Sequence, residues 1–440
     1  MLEIVRNILD NLYNYIRGVN LNQLLSVYWF LFFLEIPRYH LLDMVVLGYR
    51  NFTRKRRKDE HALGRSMLYY EGPLVTILVP GKNEGKHIYK LVSSLREQTY
   101  KNYEIVIADD GSDDDTPLIC RGLEKAGFID RYLRLEVRGG KASAANYGAN
   151  FARGKYIVHI DADSSLDRNA IEEILIPFYI DPRIKCVGGC VKVRNGHENI
   201  CTSMQALEYF KNIMVGRIVT STLGIYHIVS GAFGAFETKT LRQVGGWDVG
   251  PGLDGDITQK FRKIGSRIYF ANRAVCLTNA PTKWFALFRQ RYRWSKSLIR
   301  FRVRKHANVF NIFSRGFYLS NFISNAENIF FDSILSFLWA FYMLQIIFSY
   351  HEGILTIFII GYLIRLTFGI LSFCIDITVS ERSEEELYLF KYLIFNTLYE
   401  GYFLRVVRLY AHIQEFFFFS SYKDPWNPRK SSIWSQLERA

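Results

Sequence analysis

Two pairs of carboxylates stand where a folding chain rarely leaves charge. Asp109-Asp110-Gly111 closes the apolar run YEIVIAD, and Asp161-Ala162-Asp163 closes YIVHID. An acid at the end of a buried run is costly unless it binds something. An Asp-x-Asp pair on a tight turn can offer two hard oxygen ligands to one divalent cation, Mg2+ or Mn2+. Such a cation can neutralise a diphosphate leaving group. The plainer alternative is that each Asp caps the helix after it. Lys141, beside the pair Gly139-Gly140, opens an Ala-rich segment, and a lysine at a helix start suits a phosphate.

Those residues need a scaffold that holds strand ends together. LVTILVP (74–80), YEIVIAD (103–109), YIVHID (156–161) and KCVGGCVKV (185–193) read as continuous apolar strands. Amphipathic segments near 85–98, 114–127, 143–153 and 168–179 alternate with them. This alternation predicts an α/β domain with a mostly parallel sheet covered on both faces. Ligands of such sheets sit outside the carboxyl ends of the strands, where both acidic pairs fall.

Taken in order, Val79-Pro80 with Asn83-Glu84, then Asp109-Asp110-Gly111-Ser112, then GGKAxAxNxG beginning at Gly139 and including Asn146, then DADS at Asp161, resemble glycosyltransferase family 2. Ser230-Gly231-Ala232, Gly245-Gly246-Trp247, Asp254-Gly255-Asp256 and QxxRW (Gln290, Arg293, Trp294) extend the match over roughly residues 73–305. The QxxRW element is similar to that of membrane-integrated processive synthases of cellulose, chitin, hyaluronan and poly-N-acetylglucosamine. The resemblance implies a GT-A-type nucleotide-sugar-binding domain and an inverting polymerisation of a UDP-sugar, UDP-glucose or UDP-N-acetylglucosamine. The resulting β-linked chain would leave through the protein's own membrane channel.

Carried onto this chain, the resemblance puts Pro80, Glu84, Asp109, Asp110, Lys141 and Asp161 with the nucleotide sugar, and Asp163 on Mg2+ or Mn2+. Asp254 would deprotonate the acceptor hydroxyl, Arg293 would stabilise the leaving diphosphate, Trp294 would stack on the acceptor sugar, and Gln290 would hold that loop. The family often has Glu directly before the base. Here the text is Gly252-Leu253-Asp254-Gly255-Asp256, so Asp256 competes with Asp254 for the base position. The competing functions are a non-processive transfer of one sugar to a lipid-linked acceptor, and an inactive scaffold or pore subunit.

Membrane contact is legible separately. Residues 21–49 are mostly apolar, interrupted by Glu35, Pro37 and Arg38, and fit one kinked span. Residues 329–350 and 354–375 carry one charge each, Asp332 and Arg365, and read as a transmembrane hairpin. A mid-span Arg365 is costly unless it faces a polar path or an ion-pair partner. Residues 387–419 are apolar with several charges, and either span or lie in the interface. The net charge of +14 concentrates beside these segments, at 54–58 and at 289–305, which predicts an inner-membrane, multi-pass protein with its catalytic domain cytoplasmic. No nucleic-acid recognition motif accompanies the charge, so a lipid bilayer, the donor and the growing glycan are the expected partners. Residues 283–305 interleave aromatic and basic side chains, as an interfacial helix does. The expected domains are 1–72 (membrane segment and basic linker), 73–282 (catalytic), 283–327 (QxxRW and interface helices) and 328–440 (transmembrane helices and tail). Cys186, Cys190, His197 and Cys201 match no standard zinc spacing, and all six cysteines are expected as thiols.

Overall fold

The structure, a computed structural model, describes residues 10, 17–18, 20–248, 252–314 and 316–423. The chain divides into two compact units. One combines residues 1–52 with 330–409, and the other combines 53–329 with 410–440. The basic segment after residue 52, the QxxRW region and the start of the tail thus belong with the second of these units.

The larger unit is built on one eight-stranded sheet in the order β3-β2-β1-β4-β7-β6-β8-β5. Its strands are β1 (Val75–Gly81), β2 (Tyr103–Asp109), β3 (Arg131–Arg134), β4 (Tyr156–Ile160), β5 (Ser165–Leu166), β6 (Ile184–Val193), β7 (Phe233–Glu237) and β8 (Arg267–Thr278). Its helices include α1 (Arg54–Glu71), α2 (Gly85–Arg96), α3 (Thr116–Lys125), α4 (Lys141–Asn150), α5 (Ala170–Leu175), α6 (Ile200–Glu208), α7 (Leu253–Lys263) and α8 (Trp284–Leu298). The mostly parallel sheet expected from the sequence is present, with parallel pairing through β3-β2-β1-β4 and in β6-β8. The antiparallel exceptions are β7, against both β4 and β6, and β5 against β8. The sheet is therefore mixed. FGAFE has the composition of any fully buried strand, and composition carries no direction.

The four long strands read from the sequence are buried along nearly their whole length. Ile77, Val79, Ile105, Ile107, Val158 and Ile160 join Ile88, Leu91, Leu95, Ile171 and Leu175 in one core, which explains why these strands lack alternation. The sheet register then aligns the chemistry. Gly81 pairs with Asp109, and Leu78 with His159. Ile160 pairs with Phe233, and the Asp161 amide donates to the Ala232 carbonyl at 3.2 Å. The ends of β1, β2 and β4 and the start of β7 thus share one edge. The Ala-rich face of α4 can lie close to the sheet because it is small: a Cβ on Gly148 would stand 2.3 Å from Leu78 Cδ1.

The smaller unit is helical. Residues 21–52 are helical nearly throughout, with Pro37 opening a π-helical turn, Pro37–Leu41. Among the described residues, two helices are long and apolar enough to cross a membrane, Leu319–Ser349 and Ile354–Val379. Within the unit, Val27, Tyr28, Phe30, Leu31 and Ile36 pack with Leu335, Trp339, Tyr342, Ile346, Ile357 and Ile360. The lone charges of the apolar segments are ion-paired. Glu35 accepts from Arg365 Nε at 2.9 Å and from Arg405, and Asp332 lies 3.6 Å from Arg408 Nε.

Candidate active site

Beyond the ends of β1 and β2, two loops are stitched together. Asn83 takes a left-handed backbone, φ +60°, which a short polar side chain tolerates. Its side chain donates to Asp113 at 2.6 Å and accepts from the Asp113 amide at 3.0 Å. Lys82 donates to the Gly111 carbonyl at 2.6 Å. Pro80 is buried at the end of β1.

The two adjacent aspartates divide their tasks. Asp109 is 1% exposed and accepts from the Ser112 amide and hydroxyl at 2.8 and 2.5 Å, and from the Tyr132 hydroxyl at 2.6 Å. Its oxygens build the loop. Asp110, 3% exposed, accepts from the amides of Gly139 and Gly140 at 2.8–3.0 Å. Burial pushes the Asp110 carboxyl up, against those two amides. Asp110 thereby fixes the turn that begins α4, where Gly140 sits at φ +91°, a region costly for a residue with a Cβ.

The first side chain of α4 is Lys141, which forms an ion pair with Asp161. Burial pulls its ammonium down, but Asp161, Asp254 and Asp163 outweigh that and hold it above its ordinary value. Around this ammonium gather Glu84, Asp161, Asp163 and Asp254. Burial, then Asp163 and Asp161, push the Glu84 carboxyl up to about 7. Burial and Asp161 raise Asp163. Such crowding of carboxylates fits a hard divalent cation. Among the described residues, no group of three His, Cys, Asp or Glu side chains closes into a metal site by itself, so Asp161 and Asp163 would need oxygens from a ligand or water to complete one.

Asp254 lies in the first turn of α7. Burial raises its carboxyl, while Lys141 and the Gly231 amide oppose the rise. A Cβ on Gly231 would fall 2.2 Å from Asp254 Oδ1, so glycine alone lets this carboxylate approach the backbone. Asp256 is 4% exposed and turned elsewhere, 2.7 Å from both His306 Nε2 and Lys305 Nζ. Burial would raise it, but the His306 hydrogen bond and Lys305 hold it below its ordinary value. Geometry therefore separates the two candidates: Asp254 faces the Lys141 cluster, and Asp256 is tied into the fold. His159 lies beneath the cluster on β4, its imidazole pulled down to about 4 by burial and by Lys141.

The QxxRW residues are carried on α8. Gln290 accepts from Arg291 at 2.5 Å. Arg291, buried, grips Glu208 of α6 with two hydrogen bonds of 3.0 and 2.8 Å, and its guanidinium sits 4.3 Å from the Trp294 ring centroid. Trp294 keeps 41% of its surface exposed, and Arg293 is half-buried on the same helix. The sequence reading missed Glu208, Arg291, His159 and Arg217, the last a half-buried cation that lowers Asp254. Arg291 and Glu208 lie 83 residues apart, and only the fold reveals such a pair.

Residues 76–244 match the family model described as glycosyl transferase family 2. Poly-beta-1,6-N-acetyl-D-glucosamine synthase of Staphylococcus epidermidis is 30% identical over 223 residues, covering 50% of this chain and 54% of that protein. The synthase of the same name from Staphylococcus aureus (strain COL) is 30% identical over 224 residues, with the same shares. The chain spans about half the length of these curated relatives. Among solved structures, a mannosyltransferase from Pyrobaculum calidifontis in complex with GDP-Man and Mn2+ superposes with a TM-score of 0.55 at 18% identity, covering 85% of this chain and 99% of that one. That likeness shows the GT-A-like α/β fold.

Proposed function

We propose, from the match of residues 76–244 to the glycosyl transferase family 2 model, that the chain is a membrane-bound inverting synthase that transfers N-acetylglucosamine from UDP-N-acetylglucosamine onto a growing β-linked polysaccharide. The observation that carries this reading is the Lys141–Asp161 ion pair at the shared edge of β1, β4 and β7, with Asp254 against the Gly231 backbone of that edge and Asp163 and Glu84 crowding the same lysine. The names of the staphylococcal relatives favour N-acetylglucosamine over glucose.

In the proposed reaction, the acceptor hydroxyl loses its proton to the Asp254 carboxylate as its oxygen bonds to the anomeric carbon. The bond from that carbon to the diphosphate oxygen breaks, and UDP leaves with the electron pair. A positioned carboxylate base contributes about 10²–10⁴-fold to such a step. Negative charge grows on the departing diphosphate, so Lys141 and Arg293 are assigned to meet it. A divalent cation held by Asp161 and Asp163 would add Lewis-acid stabilisation there. The exposed face of Trp294 offers a platform for the acceptor pyranose. Asp110 and the Gly139–Gly140 turn shape the nucleotide end. We further assign the catalytic unit to the cytoplasmic side, from the basic residues of α1 and α8 beside the apolar segments, and product exit to the helical unit.

The test is a donor screen on the purified full chain in lipid with Mg2+ or Mn2+. UDP release is followed against UDP-N-acetylglucosamine, UDP-glucose, UDP-glucuronic acid and GDP-mannose, and the product is sized on a gel. Release with UDP-N-acetylglucosamine alone and a high-mass product are expected. A single-sugar adduct would replace polymerisation with a one-step transfer, and no release with any donor would sink the enzymatic reading.

A further inference from the structure

The base motif of this chain departs from its family where another segment grips it. α8 continues beyond Leu298 into a π-helical turn, Ile299–Lys305, a distortion common where a helix serves a site. Three side chains of that turn and of His306 reach the segment around Asp254. The Phe301 ring fills the space where side chains would begin on the two glycines flanking Asp254. A Cβ on Gly252 would stand 2.7 Å from its Cδ1, and one on Gly255 would stand 2.0 Å from its Cζ. Gly252 also takes φ +92°. Lys305 Nζ forms ion pairs with Asp248 and, at 2.7 Å, with Asp256, one carboxylate on each side of the base. His306 binds Asp256 through Nε2 at 2.7 Å and meets Lys263, in the last turn of α7, through Nδ1 at 2.6 Å. An ammonium can only donate, so this contact assigns the His306 proton to Nε2. Lys260 completes the set, donating to Asp248 at 2.5 Å.

We propose that Lys305 is a positioning residue for the base Asp254, and that the turn 299–306 couples the base to the helix that carries Arg293 and Trp294. The inference rests on the transfer reaction proposed above. Its logic is geometric. Asp254 is held from one side by the Gly231 backbone and from the other through α7, whose first turn is gripped by Phe301, Lys305 and His306. Gly252 and Gly255 are the residues that admit Phe301. Asp256 is a ligand of Lys305 and His306, and the unusual text Gly-Leu-Asp-Gly-Asp is the sequence of a docking surface for the turn. Base, diphosphate contact and acceptor platform then sit on elements that move together.

The experiment uses the full chain in lipid, with UDP release from UDP-N-acetylglucosamine as readout. Lys305→Met is expected to lower kcat by about 10- to 100-fold, the size of effect that a misplaced reacting group produces. Donor KM should stay unchanged, and Lys305→Arg, which can still bridge both acids, should restore most of kcat. Gly255→Ala, which pushes on Phe301 without touching charge, should reproduce the loss. Gly255→Ala combined with Phe301→Ala should be no worse than Phe301→Ala alone. Wild-type kcat in Lys305→Met overturns the coupling and leaves the function standing. Equal kcat losses in Lys305→Met and Lys305→Arg, each matched by a lower unfolding temperature, also overturn it. A wild-type chain that turns over no donor overturns the reaction and the coupling together.

Discussion

Two aspartates two residues apart illustrate how much a side chain's surroundings decide. Asp254 meets Lys141, the Gly231 amide and an upward push from burial, whereas Asp256 is spent on His306 and Lys305. Asp254→Asn should therefore lower kcat by about 10²–10⁴-fold with the unfolding temperature preserved. Asp256→Asn should instead lose a buried, charge-assisted bond worth about 1.5–3 kcal/mol, seen first in thermal unfolding. If Asp256→Asn kills turnover at wild-type stability, the base assignment is reversed. Glu84 gives a pH signature. Its folded carboxyl is raised from 4.5 to about 7, so its contribution to stability is fully present below 4.5 and is lost as pH rises toward 7. Glu84→Gln should thus unfold at a higher temperature than wild type at pH 8, and the difference should vanish near pH 4. A wild-type advantage at pH 8 would contradict the crowding of carboxylates around Lys141. Asp109, Asp110, Asp161, Asp163 and Lys141 stood out in the sequence because acids at the ends of apolar runs, and a lysine after a glycine pair, are unusual whatever the fold, whereas Glu84 and Asp254 came only with the family resemblance. That Asp109 builds the loop was not legible, since it depends on Tyr132 of the short strand β3, which has no apolar run to announce it.

Among the elements, α8 was read as an interfacial helix from its mixture of rings and cations, and the structure adds what holds it. The Arg291–Glu208 pair is buried between α8 and α6, with the Trp294 indole against the same guanidinium. Removing one partner of a buried pair costs about 3–5 kcal/mol. Glu208→Ala should lower thermal stability by that order and, because Trp294 loses its support, shorten the polysaccharide at unchanged donor KM. Product of wild-type length would separate Trp294 from acceptor binding. The sheet shows the opposite limit of the sequence. Its four long strands were marked by continuous apolar runs, and their ends located the site. The antiparallel insertion of β7 was not, because hydrogen-bond direction leaves no mark on FGAFE. That insertion matters: it brings Gly231 and Ala232 to the end of β4, beside Asp161.

At the scale of the whole molecule, the chain alternates between its units, leaving the helical one after residue 52 and returning at 330. The mid-span Arg365 had two explanations, a polar path or an ion pair, and Glu35 supplies it with an ion-pair partner, as Arg408 does for Asp332. Glu35 answers two arginines, Arg365 and Arg405. Glu35→Ala leaves both guanidiniums in an apolar surround and should cost about 3–5 kcal/mol, measured as a lower unfolding temperature in lipid. An unchanged temperature would show that the carboxylate is not what joins these helices.

The same triad has a consequence in time. Glu35 and Arg365 are 330 residues apart. At about 5–20 residues per second, a ribosome that has just delivered Glu35 needs about 15–70 s to deliver the first of its counter-charges. Throughout that interval the nascent chain holds an acid in an apolar segment with no cation from its own C-terminal half. The larger unit must be synthesised, and can begin to fold, while the helical unit is still waiting for its second half.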